Sequence, residues 1–305
     1  MDGHRRKTAM TDKITDIFAA AGADILSADK TGVPAADRSA AAIQAQPADG
    51  SDGLTTVKEQ QLGGGMTVFT NDIHTFGTDA VLLASFAQPR KSTKAVELGT
   101  GCGIISLIWC RDGKCASIDA IDIQKEACDL VNTAAEKHNL ARKLKVHNAD
   151  LNALDGVLPA GGFDLVVMNP PYKSKNDGLR CERREIAVAR HEIMCDTNSI
   201  VAAAARLLNT GGRLCMCQRP SRLCDLMVSM RNHGIEPKRL RMVEQRQGAS
   251  PNLFLIEGKK GAKSGIIIEK PLVIEDEKGD FSEEIKQIYG KYYAMKEANA
   301  RKGRV

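Results

Sequence analysis

The chain has 305 residues, 43% of them hydrophobic, and a formal charge of +5. That length and apolar content suit one large core with tails better than two small ones, and the slight positive excess is a bias toward an anionic partner, nothing stronger. No apolar run approaches the ~20 residues a bilayer demands, and MDGHRRKTAMTDK has no apolar core behind its charges, so neither a membrane span nor a signal peptide is expected and the protein is placed in the cytoplasm.

Residues 1–53 are rich in Ala, Asp, Gly and Ser with almost no aromatic residue to anchor a core, which predicts a mostly disordered extension. An ordered catalytic domain is expected over residues 54–293, with a charged tail over 294–305. TTVKEQQLGGGMTVFT predicts a strand hairpin turning at Gly63, Gly64 and Gly65. FGTDAVLLASFAQ predicts a helix beginning at Thr78 or Asp79, both N-cap residue types, with Ala80, Leu83, Ala84 and Ala87 as its apolar stripe and Pro89 ending it. Strand and helix signals then alternate: KAVELG, ISLIWC, SIDAIDI, KEACDLVNTAAEKHNL, LKVHNAD, FDLVVMNPPY, SIVAAAARLLN, RLCMCQ and CDLMVSMRNHG. This order predicts right-handed crossovers and a Rossmann-like α/β fold, a doubly wound, mostly parallel sheet. KRLRMVEQ and NLFLIEGKK, with a polar stretch instead of a helix between them, predict an antiparallel pair at the sheet edge; one more strand and a short helix follow.

Nine cysteines include no CxxC pair and no Cys/His cluster at zinc spacing, which predicts reduced thiols and no metal site. Cys215 and Cys217, two apart in LCMC, fall on one strand face as core residues.

VELGTGCGIISL places Gly99, Gly101 and Gly103 between a buried strand and a helix, where missing side chains allow a tight turn and let a ligand lie against the backbone. By itself the loop would suit a dinucleotide, a phosphate or no ligand. Asp122 closes the next strand about 20 residues on, where a carboxylate accepts from both ribose hydroxyls, and Asp150 closes the one after on the same carboxyl edge. Ile104 stands where a dinucleotide fingerprint needs its third glycine, and no GK[ST] follows for a P-loop. Glu97 would repel a pyrophosphate but suits the ammonium of a methionine moiety. The set favours S-adenosyl-L-methionine.

Asn169-Pro170-Pro171-Tyr172 ends the fourth strand of the alternating series. An amine conjugated to an aromatic ring is a poor nucleophile because its lone pair is delocalised. The amide oxygen of Asn169 and the carbonyl of Pro170 can each accept one N–H and aim that lone pair at a methyl group. Pro170 and Pro171 stiffen the turn, and Tyr172 offers a face for a flipped base to stack on.

ELGTGCG followed by NPPY resembles the amino-methyltransferases, which act on adenine N6 in DNA and RNA or on glutamine N5 in release factors. FGTDAVLLASF, ARHE at 189–192 and FSEEIKQIYG narrow the likeness to the tRNA1(Val) adenine-37 N6-methyltransferase family, across about Leu54 to Tyr293. The resemblance implies that Phe76, Thr78 and Asp79 form the methionine end of the cofactor pocket. Glu97, Gly99 and Gly101 would be its floor, Asp122 the ribose contact, Asp150 the adenine contact, and Asn169 to Tyr172 the acceptor clamp. It implies tRNA as partner, and leaves the oligomeric state open.

Lys173, Lys175, Arg180, Arg183 and Arg184 crowd the stretch after the clamp, where they could hold phosphates beside a flipped nucleotide or be a solvated face of mixed charge. His191 is read as a docking residue before a general base. The competing function is glutamine-N5 methylation of a release factor, which uses the same clamp but normally an N-terminal helical domain for which residues 1–53 hold too little apolar content. A non-catalytic RNA-binding protein is the third reading, opposed by the intact Asn169 and glycines.

Overall fold

The structure, a computed structural model, describes residues 56–170 and 197–290. An antiparallel hairpin, β1 (Lys58–Gly63) and β2 (Met66–Thr70), turns through Gly63, Gly64 and Gly65, all at positive φ. It leads to helix α1 (Thr78–Ala87). Then come β3 (Lys94–Leu98), α2 (Ile104–Arg111), β4 (Ser117–Asp122), α3 (Lys125–Lys137), β5 (Leu144–Asn148) and β6 (Phe163–Met168). The second described stretch holds α4 (Thr197–Leu207), β7 (Leu208–Gln218), α5 (Leu223–Asn232), β8 (Ile235–Arg246) and β9 (Leu253–Lys260). Two short strands, β10 (Ile267–Ile268) and β11 (Leu272–Glu275), complete it, and residues 283–290 are helical.

The main sheet runs β10-β8-β9-β7-β6-β3-β4-β5, with β11 also on β8. Strands β5, β4, β3, β6 and β7 are mutually parallel, whereas β9 is antiparallel to both β7 and β8. The order reverses at β3: chain continues to β4 and β5 on one side and returns to β6 and β7 on the other. Between the carboxyl ends of β3 and β6 the crossovers part, and a crevice must open there.

Alternation along the central strands builds a core on each face. Ala95 joins the core shared with α1, α2 and α3, while Val96 and Leu98 join the one under α4. All three are fully buried, and each of the two larger side chains contributes about 1.5–3 kcal/mol by leaving water. The hairpin is fastened to this body by the Thr67 amide, which donates to Nε2 of His138 at 2.9 Å, and by Nη1 of Arg111, which donates to the Leu62 carbonyl at 2.7 Å. Across the antiparallel part, the buried carboxylate of Glu257 on β9 accepts from Arg213 of β7 at 2.6 Å and Arg239 of β8 at 3.0 Å, and the Arg239 guanidinium lies over the Phe86 ring of α1. A carboxylate paired twice in this way is tolerated in a buried position.

Two expectations need correction. The N-cap of α1 is Gly77, with no side-chain cap, because the Thr78 hydroxyl instead accepts from the Tyr289 hydroxyl at 3.2 Å and Asp79 lies inside the first turn. The single strand expected after β9 is two, split by Pro271, which has no N–H for the ladder; both run parallel to β8, which is therefore covered and not the outer edge.

Gly103 caps the start of α2 at φ +75, and a Cβ there would stand 2.8 Å from Cγ2 and 3.0 Å from Cγ1 of Val131 on α3. Gly103→Ala is expected to destabilise the fold by about 2–4 kcal/mol, from backbone strain plus overpacking. In a Val131→Ala background the same change costs less, since only the strain is left. Urea midpoints of the four proteins measure both.

Candidate active site

A cleft of about 310 Å³ opens at the carboxyl edge of the sheet, where β3 and β6 part. Its walls are the segment before α1, the glycine loop after β3, the end of β4, the residues after β5, and Asn169 with Pro170 after β6.

The glycine loop is shaped by β4 as well as by itself. The Thr100 amide donates to the Ile121 carbonyl at 2.9 Å, and the Gly101 amide donates to Oδ2 of Asp122 at 2.8 Å. The other oxygen of Asp122 accepts from the Gln124 amide at 3.0 Å. Gly99 and Gly101 hold φ of +61 and +53, left-handed values that favour glycine, and a Cβ at Gly101 would meet no protein atom within 4 Å. The absent side chain thus leaves open room along the cleft. Asp150 lines the same wall, its Oδ1 accepting from the Asn152 amide at 2.8 Å.

Beneath the loop lies Glu97, 2% exposed, whose Oε2 accepts from both the amide and the hydroxyl of Ser106 at the start of α2. Burial pushes its carboxyl up to about 7, and the hydrogen bonds from Ser106 only partly offset that. A cation entering the cleft would be met by a carboxyl poised to lose its proton. This set fits S-adenosyl-L-methionine: a buried carboxyl suited to an ammonium, two strand-end acids suited to hydroxyl and amine donors, and a floor cleared of side chains at Gly101.

Of the residues singled out in the sequence, Phe76, Glu97, Gly99, Gly101, Asp122, Asp150, Asn169 and Pro170 all line this cleft. Three do not. Gly103 faces Val131 and works as the close contact between α2 and α3, while Thr78 and Asp79 lie in the first turn of α1, between the lining residues Gly77 and Ala80. Pro171, Tyr172, Lys173, Lys175, Arg180, Arg183, Arg184 and His191 lie outside the described residues. Among the described residues, no cluster of His, Cys, Asp and Glu is arranged for a metal, and no helix is long and apolar enough to cross a membrane.

Sequence reasoning missed the stretch before α1. Oδ1 of Asn71 accepts from the amides of Ile73 and His74, at 3.0 and 2.6 Å, folding the chain into an Asx turn that carries Ile73, His74 and Thr75 to the cleft wall. Burial holds His74 below its ordinary value, against the pull of Asp122 and Glu126. The signal available was the Asn-Asp pair ahead of the helix.

The Glu97 shift has a measurable sign. A carboxyl raised from 4.5 to about 7 keeps its proton in the folded chain where the unfolded chain has lost it. Its contribution is whole below pH 4.5 and is lost as pH rises toward 7, a fall of about 3 kcal/mol at most. Glu97→Gln should remove that component, leaving a flatter profile of urea stability between pH 5 and 8; parallel profiles for the two proteins would show that Glu97 is not shifted.

Comparison with known proteins agrees with this geometry. Residues 61–227 match the methyltransferase small domain family. A tRNA1(Val) (adenine(37)-N6)-methyltransferase of Parabacteroides distasonis is 28% identical over 223 residues, covering 71% of this chain and 90% of the relative. One of Tolumonas auensis is 28% identical over 205 residues, covering 66% and 79%. Among solved structures, a predicted O-methyltransferase of Agrobacterium tumefaciens superposes with a TM-score of 0.57 at 19% identity, covering 70% of this chain and 97% of that one, a likeness of fold. The chain belongs to the methyltransferase small domain family, with the Rossmann-like fold of such enzymes and S-adenosyl-L-methionine as its cofactor.

Proposed function

We propose that this enzyme methylates N6 of an adenine in tRNA, at position 37 by the names its relatives bear, and that it works in the cytoplasm. The observation that carries the reading is the presence of Asn169 and Pro170 on the wall of the cleft that the glycine loop floors, so that an acceptor amine and a methyl donor can share one space. We assign the catalytic domain to residues 54–293, the methionine end of the donor to Glu97 and the segment around Phe76, the ribose to Asp122 and the adenine ring to Asp150. Thr78 and Asp79, in the first turn of α1 between Gly77 and Ala80, are assigned to support that first wall.

Bound S-adenosyl-L-methionine supplies a methyl on a sulfonium, which becomes a neutral thioether when the methyl leaves. Because the departing group is uncharged, the chain has little acid–base work to do. Asn169 Oδ1 accepts one amine N–H and the Pro170 carbonyl the other, which draws the nitrogen toward tetrahedral geometry and turns its lone pair toward the methyl. As the N–CH₃ bond forms, positive charge grows on that nitrogen, and the same two oxygens stabilise it until one proton is released to solvent. Tyr172 is assigned to stack on the flipped base, and Lys173, Lys175, Arg180, Arg183 and Arg184 to contact the flanking phosphates.

The test is transfer of labelled methyl to unmodified bulk tRNA followed by nucleoside analysis, with a purified release factor in parallel. N6-methyladenosine is the expected product; label in the release factor alone would move the enzyme to protein amides. Asn169→Ala should lower turnover by about 100-fold or more while cofactor affinity stays close to that of the parent, and a matching loss of cofactor binding would contradict the assigned role.

A further inference from the structure

We infer that Cys217, a residue with no role in the chemistry so far, is a positioning residue for methyl transfer: its thiol sets the direction in which Asn169 presents its amide oxygen to the acceptor amine. The inference rests on the proposed role of Asn169 and deepens it.

Sγ of Cys217 donates to Oδ1 of Asn169 at 3.0 Å. The sheet makes this contact rigid. β6 and β7 are in parallel register, with Met168 opposite Met216, so the next residue on each strand, Asn169 and Cys217, is carried to the same level. On its other side Cys217 is paired with Leu255 of β9, and its side chain is fully buried. Neighbouring Cys215 shares its face but is directed elsewhere, toward the Glu257 carboxylate at 3.8 Å. Of the two cysteines in LCMC, one belongs to the ion cluster of the antiparallel strands and the other touches Asn169 on the cleft wall.

The chemistry asks for such a device. An asparagine amide has an accepting oxygen and a donating NH₂ of almost equal size, and a half-turn exchanges them. Presented the wrong way, it would set N–H against N–H and lose the interaction that activates the amine. A thiol is a better donor to oxygen than an acceptor from nitrogen, so the Cys217 S–H favours the productive orientation. An amide oxygen has two lone pairs, so accepting from the thiol does not exhaust it. Asn169 directly follows the last residue of β6, and the thiol is a fixed donor on the strand beside it.

Three variants and one spectrum test this. Cys217→Ala should reduce kcat by about 10-fold, the value of one hydrogen bond that orients a reacting group, with tRNA KM and cofactor Kd within about twofold of the parent. Cys217→Ser, which restores a donor, should recover most of that loss. An unchanged kcat in the alanine variant, or a serine variant as slow as alanine, overturns the inference. The S–H stretch of Cys217, isolated as the infrared difference between the parent and Cys217→Ser, should lie at the lower frequency of a bonded thiol and rise in Asn169→Ala. A band unmoved by that change also overturns it. Because the spectrum needs no acceptor, it separates this inference from the choice of tRNA: label found only in the release factor would end the adenine reading and leave the thiol contact to be judged by the spectrum and by kcat on that acceptor.

Discussion

The hydrogen bond from the Gly101 amide to the Asp122 carboxylate is the join on which the cleft depends. It crosses from the loop after β3 to the end of β4, and together with the bond from Thr100 to the Ile121 carbonyl it makes two neighbouring strand ends into one surface. A glycine loop without such a tie would have many conformations of similar energy, and a ligand would have to select one at the cost of its own binding energy. Here the selection is made during folding. Asp122 spends part of its accepting capacity on the backbone, and a carboxylate has enough lone pairs to do this and still face the cleft.

The rest of the molecule fixes where that surface stands. The sheet reverses order at β3, so the loop lies in a crevice, and Gly103, capping α2, packs against α3 closely enough to exclude even a methyl group. Glu97 illustrates how local chemistry follows from this packing. The strand alternation that buries Val96 and Leu98 on one face drives Glu97 into the other, where the hydrogen bonds from Ser106 compensate burial only in part and its proton is held far more tightly than a surface carboxyl would hold it. The antiparallel part of the sheet is a separate solution to a separate problem. It covers the open side of β7 and ties itself to α1 through the Glu257 pair of arginines.

Much of this was legible in the sequence because period and punctuation carry it. Strands such as KAVEL and helices such as that beginning at Lys125 repeat with the spacing of their buried faces, and the parallel order follows from the alternation. The residues Glu97, Gly99, Gly101, Asp122, Asp150 and Asn169 stand at strand ends, where α/β sheets bind ligands, and so were found by position. What was not legible depended on contacts distant in sequence. Thr78 has the residue type of a cap but is engaged by Tyr289, and Gly103 has the residue type of a ligand loop but is engaged by Val131. His74 reaches the cleft through an Asx turn that only the folded chain reveals as part of the wall, and the link from Cys217 to Asn169 exists because two strands share a register.

The bond between Tyr289 and Thr78 spans 211 positions of the chain. Tyr289 stacks on Phe281 and packs into the same core as α1, so the helical stretch over residues 283–290 ties down the first turn of α1, next to the cleft residues Gly77 and Ala80. During synthesis the glycine loop and the acceptor strand leave the ribosome long before this stretch does. The wall beside them is therefore fastened later, and a nascent chain carries both halves of the reaction centre before the first turn of α1 is tied down.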